Sequence, residues 1–156
     1  SIIANGGYDI RPSLIKKKAG KERKRILNEN VSEKILPILR KIVMLKEGTA
    51  SLANVEGYEI GGKTGTANKS LSGNYSNKKI NTFVSVFPVS KPKFVLALML
   101  DEPKINENYI YEYRDGSNFK LKGSPRNTAG WNSVEVSGHI VEKIGPILAT
   151  KYSEVN

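Results

Sequence analysis

The sequence contains no cysteine and a single histidine, His139. The lack of cysteine excludes disulfide bonds, thiolate metal ligands and a cysteine nucleophile. One histidine is too few for a histidine-rich zinc site, so we predict no metal centre and no cofactor. Because His139 falls beside the apolar stripe of a predicted helix, we interpret it as a partly packed helix residue rather than a catalytic base.

Long apolar runs are also missing. No stretch reaches the roughly 18 apolar residues that a membrane-spanning helix needs, so the sequence predicts none. The hydrophobic fraction of 38% and the charged fraction of 26% are typical of a folded chain. A length of 156 residues is enough for one compact domain with a core of its own.

Acidic residues are few compared with basic ones. The sequence has 15 Asp and Glu residues and 25 Lys and Arg residues, which gives a formal net charge of +10. Such a balance favours anionic partners, including nucleic acid, acidic membrane surfaces and cell-wall polymers. Much of the charge lies in the run 16–25, which we interpret as a solvated loop. The alternative is a non-enzymatic module that binds nucleic acid or another anionic polymer through this run and a tyrosine-rich hairpin.

Hydrophobic periodicity predicts an α+β fold with an antiparallel sheet and flanking helices. The predicted elements are helices at 32–46 and 133–149, strands at 58–66, 82–89 and 94–100, and a hairpin at 108–122. Ser32 is the expected N-cap of the first helix. The strand at 94–100 is almost wholly apolar, so we expect it to be central and covered on both faces. The expected apolar stripe of the last helix consists of Val136, Ile140, Ile144, Ile147 and Leu148.

The segment 57–64 matches the spacing of a phosphate-binding loop, with Gly57, Gly62, Lys63 and Thr64 at the required positions. That loop must open directly into a helix whose amides hold the phosphates. Glycines and asparagines after Thr64 disfavour such a helix. A nucleotide hydrolase is therefore a second alternative rather than our main interpretation.

The Lys63-Thr64-Gly65 sequence resembles the third signature of penicillin-binding proteins and serine β-lactamases, where it lies on an antiparallel edge strand. The segments around it extend the resemblance over nearly the whole chain. They are Asn5-Gly6-Gly7, the stretch 31–50, the strands at 83–88 and 95–103, and Thr128-Ala129-Gly130-Trp131-Asn132. The last of these resembles the division-specific transpeptidases of α-proteobacteria, within class B of the penicillin-binding proteins.

The resemblance implies roles for four residues. Lys63 supplies positive charge beside the nucleophile, and the Thr64 hydroxyl binds the carboxylate of the donor peptide. Gly65 leaves room for the substrate backbone against the strand edge. The backbone amide of Thr66 serves as an oxyanion donor. Because Lys63 and Thr64 point to opposite faces of a flat strand, a shared site must run along the edge of the strand.

The family's nucleophile, a Ser-x-x-Lys serine that begins a buried helix, has no convincing counterpart in the sequence. Four Ser-x-x-Lys matches occur, beginning at Ser13, Ser76, Ser90 and Ser117, and we attribute them to the abundance of lysine. Ser72-Gly73-Asn74 fits the family's second motif but follows Lys63, in the wrong order. We therefore expect the nucleophile to lie on sequence that precedes this chain.

The sequence thus predicts the C-terminal portion, residues 1–156, of one transpeptidase domain, with the loop 16–25 and the hairpin 108–122 as local insertions. The resemblance implies a peptidoglycan D,D-transpeptidase that cross-links stem peptides during septal synthesis through an acyl-serine intermediate. It also implies stem peptides, β-lactams and divisome proteins as partners, no nucleic acid, and a location at the periplasmic face of the bacterial inner membrane. We expect the chain alone to be inactive.

Overall fold

A computed structural model describes residues 1–10, 12–15, 23–71, 74–122 and 126–153. Its helices and strands, in chain order, are α1 (Glu29–Met44), β1 (Gly61–Leu71), β2 (Asn74–Phe87), β3 (Phe94–Asp101), β4 (Ile110–Glu112), β5 (Lys120–Lys122) and α2 (Ser133–Ser153). The predicted α+β class is confirmed. No helix in the described ranges is long and apolar enough to cross a membrane.

The main sheet has the order β1-β2-β3, and both strand pairs are antiparallel. This order shows that the expectation of a central, doubly covered β3 was wrong, because β2 lies in the middle. Along β3, half-buried residues alternate with exposed ones, and Val95 and Met99 are among the exposed. The apolar composition of β3 would allow both of its faces to be buried, but the described residues cover only one of those faces.

β1 and β2 are both longer than predicted and pair with each other, with an irregularity in register between Asn68 and Ser70. β1 begins at Gly61 instead of Tyr58, since a positive φ at Gly57 and at Glu59 turns the chain just before it. β1 then extends five residues past Thr66, and β2 begins at Asn74. The two strands consequently project beyond the end of β3, which pairs with β2 only from Ile80 onward.

α1 begins three residues earlier than predicted. Asn28, not Ser32, is its N-cap, and the Asn28 side chain accepts a hydrogen bond from the amide of Asn30. Ser32 is instead a buried residue inside the helix. The expected end near Lys46 is close to the observed last residue, Met44.

α2 begins at Ser133 as predicted and runs four residues past Ala149. Its buried side differs from the predicted stripe, because Val134 and Val141 are fully buried whereas Ile147 is 66% exposed. At Gly138 the helix approaches the backbone of Leu52, where an added Cβ would lie 2.9 Å from the carbonyl oxygen. The contact face of α2 thus combines Val134 and Val141 with a close backbone approach at Gly138, which the predicted stripe did not include.

The core lies between one face of the sheet and the two helices. Phe83 projects from the middle of β2 and is fully buried, as are Ile60, Val43 from α1 and Val141 from α2. Burying a side chain of this size stabilises the fold by about 1.5–3 kcal/mol. This core fixes β1 against its neighbours on one side and leaves its other edge free.

The predicted hairpin at 108–122 is confirmed, with β4 paired to β5 and the Asp115-Gly116 turn between them. Most of the predicted basic loop, residues 16–22, lies outside the described residues. Arg25, the last residue of the run, forms a β-bridge with Tyr8, and its guanidinium lies over the Tyr8 ring, 4.3 Å from the ring centre.

Candidate active site

Strand β1, which carries the segment 61–67, is an edge strand of the described sheet. It pairs with β2 from Gly61 opposite Val86 to Leu71 opposite Asn74, and no described strand pairs with its other edge. A free strand edge presents backbone donors and acceptors that an extended peptide can use. The geometry that the sequence required, a site running along the edge of this strand, is therefore available.

The Lys63 ammonium lies against the strand rather than extending into solvent. Its Nζ donates a hydrogen bond to the backbone carbonyl of Thr64, at 2.8 Å. The residue remains exposed, and no described carboxylate forms an ion pair with it. A positive charge is therefore held within one residue of the Thr64 side chain, although the two side chains leave the strand on opposite faces.

Thr64 and Thr66 point to the same face, and each has a partner from a distant segment. The hydroxyl groups of Thr64 and Thr49 are 3.3 Å apart. The Thr66 Oγ1 atom accepts a hydrogen bond from the amide of Ala129 at 3.0 Å. Thr49 and Ala129 were not predicted as site residues. Only the family resemblance singled out the segments that contain them. A lone threonine or a backbone amide has no sequence pattern by which it could be recognised.

Gly65 has a steric reason of its own to lack a side chain. A Cβ atom there would lie 2.5 Å from the Oγ1 of Thr82, its register partner on β2. That hydroxyl donates to the Gly65 carbonyl at 3.3 Å. The structure thus adds packing within the sheet to the predicted role of leaving space for a substrate backbone.

The phosphate-loop alternative is wrong. Residues from Gly61 onward form a strand paired with β2, so no helix follows Thr64. A loop of this kind needs helix N-terminal amides to hold phosphate groups.

None of the four Ser-x-x-Lys serines lies on a described helix. Ser76 is on β2, whereas Ser13, Ser90 and Ser117 lie outside the helices and strands. The Ser13 hydroxyl is exposed and hydrogen-bonds the backbone of Ile15. Ser72 and Gly73, from the match to the second motif, lie outside the described residues. The absence of a nucleophile from the chain stays a prediction.

Asp101, the last residue of β3, and Glu102 after it form a polar strand end that contacts lysines of the other two strands. Lys69 of β1 contacts the Asp101 carboxylate at 3.0 Å and the Glu102 carboxylate at 2.9 Å. Lys78 of β2 reaches Glu102 at 3.1 Å. Accepting hydrogen bonds from Lys69 and, second, Lys78 lowers the pKa of Glu102. Donating hydrogen bonds to Glu102 and, second, Asp101 raises the pKa of Lys69. This ionic cluster ties the projecting β1–β2 hairpin to β3.

The chain just before β1 is fixed by polar contacts. The Glu59 carboxylate accepts hydrogen bonds from the Ser90 amide, at 3.1 Å, and from the Ser90 hydroxyl. These bonds lower the pKa of Glu59. Arg40 of α1 donates to the carbonyl of Ile60 at 2.9 Å, and burial lowers the pKa of this guanidinium. Helix α1 and the β2–β3 turn therefore position the start of β1.

His139 contacts the Arg114 guanidinium at 2.7 Å through Nδ1, and its Nε2 lies 3.4 Å from Glu135. With a side chain 42% exposed on α2, it is the partly packed helix residue that the sequence predicted. Within the described ranges, no group of three or more histidine, cysteine or carboxylate residues is arranged to hold a metal ion.

The tyrosine-rich hairpin packs inward, which removes the base-stacking surface that the nucleic-acid alternative needed. Tyr111 is 4% exposed, and its ring lies 5.0 Å from that of Tyr109 and 4.9 Å from that of Trp131. The Tyr109 hydroxyl donates to Glu135 at 2.8 Å. Burial, followed by this hydrogen bond, raises the pKa of Tyr109 to about 12.

Comparison with known proteins identifies a family. The penicillin-binding protein transpeptidase domain matches residues 1–118. A probable peptidoglycan D,D-transpeptidase FtsI of Caulobacter vibrioides is 31% identical over 162 aligned residues, covering 97% of this chain and 25% of the relative. Stage V sporulation protein D of Bacillus subtilis is 38% identical over 96 residues, covering 61% of this chain and 15% of the relative.

Solved structures share the fold. The transpeptidase domain of penicillin-binding protein 3 from Burkholderia pseudomallei matches with a TM-score of 0.67 at 23% identity, covering 94% of this chain and 39% of that one. Penicillin-binding protein 3 of Mycobacterium tuberculosis has the same TM-score and identity, with 92% and 33% coverage. The chain thus spans between about a seventh and two fifths of the length of these proteins.

Proposed function

The chain belongs to the penicillin-binding protein transpeptidase family, and we propose that it forms part of a peptidoglycan D,D-transpeptidase that cross-links stem peptides. The observation that carries this proposal is the Lys63-Thr64-Gly65-Thr66 segment on the free edge of β1. Relatives that carry the name peptidoglycan D,D-transpeptidase support it.

In the proposed reaction, a serine oxygen attacks the carbonyl carbon of the penultimate D-alanine of a donor stem peptide. The bond to the terminal D-alanine breaks, and that residue leaves as a free amine with the serine proton. An amine of a neighbouring stem then attacks the acyl-serine ester, forms the cross-link and returns a proton to the serine. The serine belongs to sequence outside these 156 residues, which form the C-terminal portion of the domain.

Each proposed role of the β1 segment has a physical basis in its geometry. The Lys63 ammonium, held beside the Thr64 carbonyl, supplies positive charge at the site. The Thr64 hydroxyl binds the terminal carboxylate of the donor, because a hydroxyl donor to a carboxylate is a charge-assisted hydrogen bond. The Thr66 amide stabilises the oxyanion, and Gly65 admits the substrate backbone.

The proposed partners follow from this activity. They are peptidoglycan stem peptides and, as mimics of the donor, β-lactams that trap the acyl-enzyme. Names such as FtsI among the relatives favour a role in septal synthesis, and we propose divisome proteins as partners and the periplasmic face of the inner membrane as the location. Reactions on peptidoglycan place such an enzyme in the cell envelope.

Labelling with a fluorescent penicillin tests the proposal. We expect no covalent label on the 156-residue chain, and penicillin-sensitive label on the longer polypeptide encoded by the complete reading frame. In that polypeptide, Lys63→Ala should abolish rapid labelling, whereas the matched turn variant Lys91→Ala should retain it. Covalent label on the isolated chain would show that the nucleophile lies within it. A longer polypeptide that resists labelling would refute the proposed function.

A further inference from the structure

A recess of about 190 Å³ lies between the segment that precedes β4, residue 126 and the start of α2. Its lining includes Lys104, Tyr109, Arg126, Asn127 and Glu135. Sites for drug-sized ligands usually measure about 300–1,000 Å³. The recess therefore fits a group of about one amino-acid residue rather than a disaccharide.

The floor of the recess is fixed by buried contacts. Glu135 has a side chain only 5% exposed, and it accepts the Tyr109 hydroxyl at 2.8 Å. Arg114, with a side chain 6% exposed, lies 3.7 Å from the same carboxylate. Arg114 also pairs with Glu142 at 3.3 Å, so it offsets the Glu135 charge only in part, and the two rim cations outweigh the remaining negative charge.

The rim carries two exposed cations, Lys104 and Arg126. Neither forms an ion pair with any residue of the described ranges, whereas Lys69 and Lys120, for example, each contact a carboxylate. Two cations without an ion-pair partner in the described ranges, over a single partly offset carboxylate, favour an anionic group, and a carboxylate can accept hydrogen bonds from both.

Two hydrogen bonds join residues 127 and 129 to the paired strands β1 and β2. The side chain of Asn127, in the wall of the recess, accepts a hydrogen bond from the side-chain amide of Asn81 at 3.0 Å. Asn81 lies on β2, opposite Thr66 in the sheet register. Two residues after Asn127, the Ala129 amide donates to the Thr66 hydroxyl. The wall of the recess and the Thr66 position of β1 are therefore tied to one another through residues 127–129.

We propose that the recess binds a side carboxylate of the stem peptide, upstream of the D-alanine bond that is cleaved, through Lys104 and Arg126. This assignment rests on the proposed function and names the substrate group that this part of the site selects. The free carboxylate is recognised, and its carboxamide counterpart is discriminated against.

The test compares two synthetic donor pentapeptides with the longer polypeptide as enzyme. One peptide has free side carboxylates, and the other has them as carboxamides, while both keep the C-terminal D-Ala-D-Ala carboxylate. Release of D-alanine during acyl transfer gives kcat and KM for each. We expect the wild type to favour the carboxylate peptide by about five- to tenfold, mainly through KM, and added salt to reduce this preference.

The double variant Lys104→Ala with Arg126→Ala should lose the preference, and the charge-keeping variant Lys104→Arg with Arg126→Lys should retain most of it. Lys91→Ala, a change to another exposed lysine, should leave it unaltered. Fluorescent penicillin, which lacks a stem peptide, should label all variants at wild-type rates and shows that they are folded.

The assignment would be overturned if penicillin labelling were normal and the double alanine variant kept the wild-type preference for the carboxylate peptide. The proposed function would then remain intact. A wild type that turns over both peptides equally would overturn it as well. Failure of the wild-type polypeptide to react with penicillin would remove the proposed function, and this assignment with it.

Discussion

At the scale of single residues, Gly65 serves two constraints, and a second substitution at Thr82 can separate them. Its missing side chain is needed for packing against Thr82 within the sheet. It is also needed, on our proposal, for the approach of substrate along the strand edge. A loss of activity in a Gly65 variant would by itself be ambiguous, but a second change at Thr82 resolves it.

We expect Gly65→Ala to lower the free energy of unfolding by about 1–3 kcal/mol, because the new methyl group overlaps the Thr82 hydroxyl. Adding Thr82→Ala removes the overlapping atom and should restore most of the stability, as measured by urea denaturation. Penicillin labelling of the longer polypeptide should remain impaired in the double variant. Full recovery of labelling together with stability would show that Gly65 has only a packing role.

The sequence predicted the candidate site residues of the β1 segment but not the partners that fix their positions. Lys63, Thr64, Gly65 and Thr66 were recognisable because their order is a motif. The bond from the Ala129 amide to Thr66 joins positions 63 residues apart. Backbone amides are present at nearly every position, so no residue type marks which one donates. That partner could be found only from the structure.

At the scale of secondary-structure elements, the approach of α1 to β1 depends on Gly61. A Cβ atom at this position would lie 2.7 Å from the Val89 Cγ2, 3.0 Å from the amide nitrogen of Arg40 and 3.1 Å from the carbonyl carbon of Leu39. Two of these neighbours are backbone atoms of α1, which cannot rotate away. Helix and strand are therefore at their minimum separation here.

Gly61→Ala should destabilise the chain by about 1–3 kcal/mol through overpacking. Unlike the Gly65 case, a second substitution, Val89→Ala, should give little recovery, because the helix backbone remains in place. Thermal unfolding of the single and double variants provides the measurement. Near-complete recovery in the double variant would mean that α1 is free to shift and that Val89 is the real constraint.

Element types were easier to predict than their neighbours in space. The helices and the hairpin 108–122 followed from periodicity and turn residues, and their positions are close to those observed. The place of β3 did not follow, because Phe94 and Val95 are both apolar while only the first lies on the covered face. The contact side of α2 was missed because Gly138 and Gly145 allow close approach without any apolar side chain.

At the scale of the whole molecule, one face of the sheet carries apolar side chains that the described residues leave exposed. Val84 is 49% exposed, Val95 46% and Met99 66%, and the register places all three on the same face. Exposed apolar surface of this kind is costly to hydrate and promotes association. The 156-residue chain by itself therefore presents a surface that favours self-association.

We expect the isolated chain to bind a hydrophobic reporter dye such as anilinonaphthalene sulfonate in its folded state. Replacing Val84 and Val95 with threonine and Met99 with glutamine should lower the dye fluorescence with little change in the unfolding temperature, since these side chains have few packed neighbours to lose. Replacing the similarly exposed Ile38 of α1 with threonine serves as the matched control. Dye binding that survives the triple replacement would place the apolar surface elsewhere.

The hydrogen bond between Ala129 and Thr66 means that sequence changes outside the motif can affect the position of β1. The family match ends at residue 118, yet the strand with the family's motif is held by a residue eleven positions beyond it. A mutation or bound molecule at residues 126–132 can thus displace the candidate edge strand through this hydrogen bond without altering any motif residue. Variation in drug response or substrate choice among close relatives of this chain is therefore worth seeking in that outlying stretch.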